Sequence, residues 1–287
     1  MAGADQITPP QTVLPQAGNS NLVLRIISSL VMAPLALGVA YVGDQVFLWF
    51  WTVAALVVLW EWDGMVCTHD KNPVFALGSI AIVGTSLLWA MSRPVLALIL
   101  ISLGALGVAT LATKARRTWS VVGLAYAAVL LIAPVVLRAD PTFGFGVIVF
   151  VFAVVWSTDV LAYVVGRMLG GPKLIPRISP NKTWAGAIGG LAAGIGAGIA
   201  VAKYFGAEDI AAISLVAFLL SVASQSGDVL ESAVKRQFNV KDASWLIPGH
   251  GGLMDRLDGF MAASLLAVII GLAHGGVVAP GRGLLVW

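Results

Sequence analysis

Hydrophobic positions along this chain neither alternate nor form a narrow stripe; they run together. Apolar stretches near the roughly 20 residues that a helix needs to cross a bilayer occupy 24–43, 46–62, 74–91, 94–112, 119–138, 144–165, 184–204, 210–230 and 258–275. Each is about twice the length that a membrane-spanning strand requires. Every backbone N–H and C=O must find a partner inside the hydrocarbon, so the runs predict helices. The expected fold is therefore all-α, a polytopic integral membrane protein with about nine transmembrane helices. No internal repeat of the kind that builds two-halved transporters is visible, and the polar positions are skewed towards the C-terminal half.

The spans divide the loops between two sides, and the cations divide with them. One side, with the N-terminus, collects Arg25, Lys71, Lys114, Arg116, Arg117, Arg167, Lys173, Arg177, Lys182, Lys235, Arg236, Lys241 and Arg256. The other collects Arg93, Arg138, Lys203 and Arg282. A bias of thirteen to four places the N-terminus in the cytoplasm by the positive-inside rule, and an odd number of spans places Trp287 outside. Residues 1–21, rich in Pro, Gln, Asn and Gly, lack a basic segment followed directly by a cleavable apolar core. They read as a disordered tail, with the first span kept as an anchor. Residues 22–287 then form one transmembrane domain, with N-terminal spans over 24–138 and a catalytic C-terminal half over 144–275.

Composition agrees: 59% of residues are hydrophobic, 11% are charged and the mean hydropathy is +0.94, which excludes an ordinary soluble domain. The net charge of +3 restates the cytoplasmic bias and suits an anionic lipid surface. It leaves too few exposed cations for nucleic acid, so no nucleic-acid partner is expected. Cys67 is the only cysteine, which excludes disulfides within the chain and multi-thiolate metal sites. Glu61 and Asp63 close the second span and are read as interfacial, reaching water where the helix ends. Trp49, Trp51, Trp60 and Trp62 around them are read as aromatic-belt anchors.

Three polar constellations stand out against this background. In residues 156–167, Asp159, Tyr163 and Arg167 fall four apart and share one helix face. An ionisable group two turns inside a span is costly and usually faces a bundle interior or a wet cavity. The same face also permits a purely structural bond from Asp159 to Tyr163 or Arg167. The loop 170–186 brings Ser179, Lys182 and Thr183 to the start of the seventh span, where free N–H groups and the helix dipole favour an anion. The bland alternative there is a capped helix start with lipid-facing lysines. Beyond it Gly186, Gly190, Gly194 and Gly198 stand four apart, a face that lets a neighbour pack closely, within the chain or in a homodimer.

The third constellation, Ser232–Asp258, concentrates charge. If the eighth span continues helically through Lys235, then Asp228, Glu231, Ser232 and Lys235 lie on one stripe. Across a loop with Arg236 and Lys241, the turn Pro248–Gly252, including His250, Gly251 and Gly252, has a bare backbone able to approach phosphate oxygens. Asp255, Arg256 and Asp258 open the ninth span. Carboxylates from two adjacent helices, with little histidine and no thiolates, suit a hard cation such as Mg²⁺, which is commonly held by one or two carboxylates plus substrate phosphates. The competing reading is an interhelical salt-bridge network. Metal-competent acids beside cations are what phosphoryl or nucleotidyl transfer uses.

Ser232, Lys235, Arg236, Lys241, Asp242, Pro248, Gly249, His250, Gly251, Gly252, Asp255, Arg256 and Asp258 together resemble the signature of the phosphatidate cytidylyltransferases, also called CDP-diacylglycerol synthases. The resemblance extends to Asp159, Tyr163, Gly166, Ser179, Pro180, Lys182, Thr183, Gly227, Asp228 and Glu231. Ala185 departs from a common Glu, and Gly259 from a common Ser. The resemblance implies CTP and phosphatidate giving CDP-diacylglycerol and pyrophosphate, with Mg²⁺, on the cytoplasmic side of a bacterial inner membrane. It implies Asp228, Ser232, Lys235 and Asp255 as catalytic residues, with Asp228 and Asp255 holding the metal. Ser179, Lys182, Thr183, Arg236, Lys241, His250, Gly251, Gly252, Arg256 and Asp159 would bind substrate. A CTP-dependent enzyme acting on a polyprenyl or ether-lipid phosphate would share this cluster. An ion-coupled transporter would instead need acids near the bilayer midplane.

Overall fold

A computed structural model describes residues 19–66, 73–247 and 251–287. Among the described residues nine long helices follow the hydrophobic runs: α1 (Asn19–Val42), α2 (Asp44–Val66), α3 (Pro73–Ala90), α4 (Pro94–Leu111), α5 (Arg117–Arg138), α6 (Gly144–Leu169), α7 (Trp184–Tyr204), α8 (Ile210–Gln237) and α9 (Met254–Gly275). Among the described residues, eight of them, α2 to α9, are long and apolar enough to cross a membrane, and the described apolar part of α1 covers Val31–Val42. A short α10 (Pro280–Leu285) closes the chain. Residues 1–18 of the expected tail lie outside the described residues, as do Cys67, Lys71 and the turn residues Pro248, Gly249 and His250.

The breaks between helices have local causes. Gly43 and Asp44 take positive φ between α1 and α2, and the Arg138 guanidinium donates to the carbonyls of Ala40 and Tyr41 at 2.7 and 3.3 Å. A cation thereby sits on the negative end of α1. Pro94 starts α4 at a position where no N–H is needed. Asp209 caps α8 by accepting from the Ala212 N–H at 3.0 Å, and Thr183 caps α7 by accepting from Gly186 at 3.1 Å. One departure from the all-α reading lies between α6 and α7. The loop there folds back as a two-stranded antiparallel hairpin, β1 (Lys173–Ile175) and β2 (Ser179–Thr183). Its Pro and Gly residues conceal the alternation that would mark strands, and three and five residues are too few for a periodic signal.

Lipid offers no hydrophobic drive between helices, so close packing and polar contacts hold the bundle. The glycine face of α7 lies against α6 within one chain. A Cβ at Gly186 would come 2.6 Å from the Ala162 carbonyl oxygen, and one at Gly190 would come 2.5 Å from that of Thr158. This face is thus occupied without a second copy. The Thr158 and Ser221 hydroxyls meet at 2.8 Å between α6 and α8. Phe260 of α9 stacks on Trp51 of α2 at 5.0 Å and lies 4.9 Å from Phe152 of α6, tying three helices through aromatic faces.

The tryptophan reading needs correction. Trp49 and Trp60 are exposed as belt anchors should be, but Trp51 and Trp62 are buried. Trp62 donates to the Trp119 carbonyl on α5 at 2.9 Å. A helix with tryptophans on opposite faces serves lipid with one and the core with the other. The α6–α7 contact yields a test. Gly190→Ala should cost about 1–3 kcal/mol, the usual effect of forcing volume into a filled contact, seen as a lower thermal unfolding midpoint in detergent. Gly196→Ala, where nothing lies within 4 Å, should hold or raise that midpoint.

Candidate active site

The charged residues gather at the end of the bundle where α8 finishes and α9 begins. The helical continuation on which the common stripe depends is present: α8 runs on past the apolar stretch to Gln237. Asp228, Glu231, Ser232 and Lys235 therefore lie along one face. Lys235 is the pivot. Its ammonium donates to Glu231 Oε2 at 2.7 Å on its own helix and to Asp255 Oδ1 on α9. All three side chains are largely buried, and Glu231 is only 1% exposed. One turn back, Asp228 is more open, with 39% of its side chain exposed. Its Oδ2 meets the Lys182 ammonium of β2 at 2.6 Å, and the Ser232 hydroxyl stands 3.4 Å from its Oδ1.

Asp159 on α6 is exposed on the same side and feels the charges of Asp228, Lys182 and Arg256. The structural bond considered for its face forms without it: Arg167 donates to the Tyr163 hydroxyl at 3.0 Å. The hairpin thus brings Lys182 to Asp228, while Ser179 lies at the far end of β2, paired in register with Ile175. Thr183 is buried with its hydroxyl committed to the α7 cap. Arg236 is exposed and donates to the Val240 carbonyl at 3.1 Å, and Lys241 is exposed in the loop that follows. His250 lies outside the described residues.

The glycine turn has a use visible within the chain. Asp255 Oδ2 accepts from the N–H groups of Gly252 at 2.8 Å and Ala243 at 3.0 Å. Gly251 takes φ +83°, and a Cβ there would lie 2.9 Å from Asp255 Oδ2. A Cβ on Gly252 would lie 2.7 Å from Glu61 Oε1. Bare backbone is needed here because two carboxylates close on the turn. Gly259, at the position where a Ser is common, sits against α8, where a Cβ would stand 3.2 Å from the Ser224 carbonyl oxygen.

Glu61 overturns its sequence reading. α2 does not end there, and the side chain does not reach water: it is 2% exposed. Its carboxylate accepts from the Ser244 hydroxyl at 2.6 Å and from the N–H groups of Leu253 and Met254 at 2.8 and 2.6 Å. The available signal was a carboxylate standing inside an apolar run, before its end at residue 62.

Mg²⁺ can be tested against this donor set. Among the described residues no three His, Cys, Asp or Glu side chains converge as a metal cage. Asp228 retains acceptor capacity on its open side. Asp255 already takes three donors on a group with about four lone-pair positions. Two carboxylates with some capacity left fit a cation completed by substrate phosphates and water.

The ion cluster around Lys235 carries its own prediction. Lys235→Met leaves Glu231 and Asp255 buried without their shared cation and should cost about 3–5 kcal/mol, as breaking a buried pair does. Arg236→Ala, at an exposed side chain, should stay within about 0.5 kcal/mol. Unfolding in detergent compares the two.

Likeness to known proteins completes the site. Residues 23–273 match the cytidylyltransferase family. The proteins named phosphatidate cytidylyltransferase from Brucella abortus (strain 9-941) and Brucella melitensis are each 43% identical to this chain over 255 residues. Those residues make up 88% of this chain and 94% of each relative. The one from Staphylococcus haemolyticus is 45% identical over 119 residues, 41% of this chain and 46% of that protein. The match runs from within α1 almost to the end of α9 and takes in every residue of the charged cluster, so the chain belongs to the cytidylyltransferase family.

Proposed function

We propose that this protein is a phosphatidate cytidylyltransferase, transferring CMP from CTP to phosphatidate to give CDP-diacylglycerol and pyrophosphate. The observation that carries the reading is likeness to proteins of that name over 94% of their length. Supporting it, carboxylates and cations converge at one end of a membrane bundle, where a lipid headgroup and a soluble nucleotide can meet. That end faces the cytoplasm of a bacterial inner membrane in this proposal, as the distribution of Lys and Arg favours.

A phosphatidate oxygen attacks the α-phosphorus of CTP in line. The new P–O bond forms as the α–β anhydride bond breaks, and pyrophosphate carries away the electron pair. A phosphomonoester with a second pKa near ~6 is already largely dianionic at neutral pH, so no strong general base is required. Asp228, with the remaining capacity of Asp255, would hold Mg²⁺, which supplies neutralisation of phosphate charge when bound. Lys182 leaves Asp228 for a phosphate oxygen, a short move because it already stands at the open edge. Arg256, Arg236 and Lys241 neutralise the outer phosphates, Ser232 donates a hydrogen bond beside Asp228, and Lys235 keeps Asp255 in place. Ser179 and the hairpin border the same opening, with Asp159 on its α6 wall.

Purified protein in detergent, given radiolabelled CTP and phosphatidate, should form labelled CDP-diacylglycerol only with Mg²⁺. Asp228→Asn should abolish turnover while the protein stays folded. Lys182→Ala should lower kcat/KM by about 10²-fold, the scale of one lost charge-stabilising contact. Turnover in the Asp228→Asn protein would refute the site assignment. Label passing to a polyprenyl phosphate instead of phosphatidate would redirect the acceptor.

A further inference from the structure

The first turn of α9 carries Asp255, Arg256 and Asp258, yet its own residues do not cap it. The residue at its N-cap, Leu253, has helical φ and ψ and no side-chain acceptor. The N–H groups of Leu253 and Met254 instead point to Glu61, 192 and 193 residues earlier in the chain. Glu61 Oε1 takes Leu253 and the Ser244 hydroxyl, and Oε2 takes Met254. All three donors are neutral, and the carboxyl group they reach sits at the positive end of α9, where the helix dipole favours an acidic side chain.

Asp255 also ties both ends of the same loop, through the N–H groups of Ala243 and Gly252. Residues 243, 244, 252, 253 and 254 thus hang on two carboxylates. One, Asp255, belongs to the proposed chemistry. The other comes from α2, whose neighbouring Trp62 is fixed to α5 and whose Trp51 stacks on Phe260 of α9. The anchor is therefore braced against α5 and α9, and it meets the N–H groups where α9 begins.

We infer that Glu61 is a positioning residue for nucleotidyl transfer, an inference that rests on the function proposed above. It orients Asp255 and Arg256 by holding the N–H groups immediately before them and by fixing Ser244 of the connecting loop. Glu61→Gln keeps the shape but turns one acceptor oxygen into an NH₂ donor facing another donor.

The test compares parent, E61Q and S244A proteins in detergent for kcat, KM for each substrate, the Mg²⁺ concentration giving half-maximal rate, and thermal midpoint. E61Q should lose about 10- to 100-fold in kcat, the scale seen when a supporting hydrogen bond to a metal or catalytic ligand is removed. Its Mg²⁺ requirement should rise and its KM for phosphatidate should hold, a split that a general loss of fold would not produce. S244A, which removes one of the three donors and leaves Glu61 intact, should shift kcat and the Mg²⁺ requirement the same way by less, at an unchanged midpoint. Folded E61Q within twofold of the parent in kcat would overturn the inference. So would a loss accounted for by the unfolded fraction alone, or, where E61Q does not fold, S244A with parental kcat and Mg²⁺ requirement. Absence of product from the parent protein counts against the proposed function, whereas an active parent beside an unimpaired variant counts against Glu61 alone.

Discussion

A buried carboxylate at the end of a membrane bundle has to be answered by a donor, and the polar half of this protein is arranged around that demand. Glu231 and Asp255 share Lys235, Asp228 takes Lys182, and Glu61 takes two backbone N–H groups and a hydroxyl. Each pairing joins segments distant in sequence: α8 to α9, β2 to α8, and α2 to the loop before α9. Leaving Glu231, Asp255 or Glu61 without a partner would cost more than the pairing gains, because the low dielectric that strengthens a buried contact also penalises its absence. The polar network consequently fixes the helix ends more narrowly than lipid-facing packing would.

The two sides of the opening are built differently. α6 and α7 approach along bare glycine backbone and carry Asp159 at one edge and the hairpin with Lys182 at the end. α8 and α9 approach through the ion cluster and through Gly227 and Gly259, where a Cβ would strike the facing helix. The Lys182–Asp228 pair links the two sides near the rim, and the Thr158–Ser221 contact links them deeper. A half-exposed ion pair is worth little in stability. It can separate when a phosphate competes for the lysine, while the buried Lys235 cluster stays closed.

Much of this was legible in the sequence because hydropathy and helical spacing are local properties. The runs gave the spans, and the three- and four-residue spacings from Asp228 to Lys235 gave their common face. The spacing of Gly186, Gly190, Gly194 and Gly198 correctly signalled close approach, but α6 as the neighbour is a tertiary fact. Glu61 was misread because its partners lie more than 180 residues away, beyond any window of periodicity. The glycine turn reads as a phosphate cradle because Gly leaves room for any oxygen; the fold adds that carboxylates of the chain lie against its described residues, Gly251 and Gly252. Thr183 carried both readings in sequence, helix cap and ligand, and its buried hydroxyl serves the cap.

Glu61 also sets an order in time. α2 enters the membrane early in synthesis, but the N–H groups that its carboxylate accepts belong to the start of the ninth helix. At about 5–20 residues per second of translation, roughly ten to forty seconds separate the two. During that interval the buried acid of α2 is without its final partners, and the mouth of the bundle cannot close. The reactive end of this protein is thus completed only as its last long helix arrives, so a nascent chain interrupted before residue 254 holds most of its helices but neither Asp255 nor Arg256.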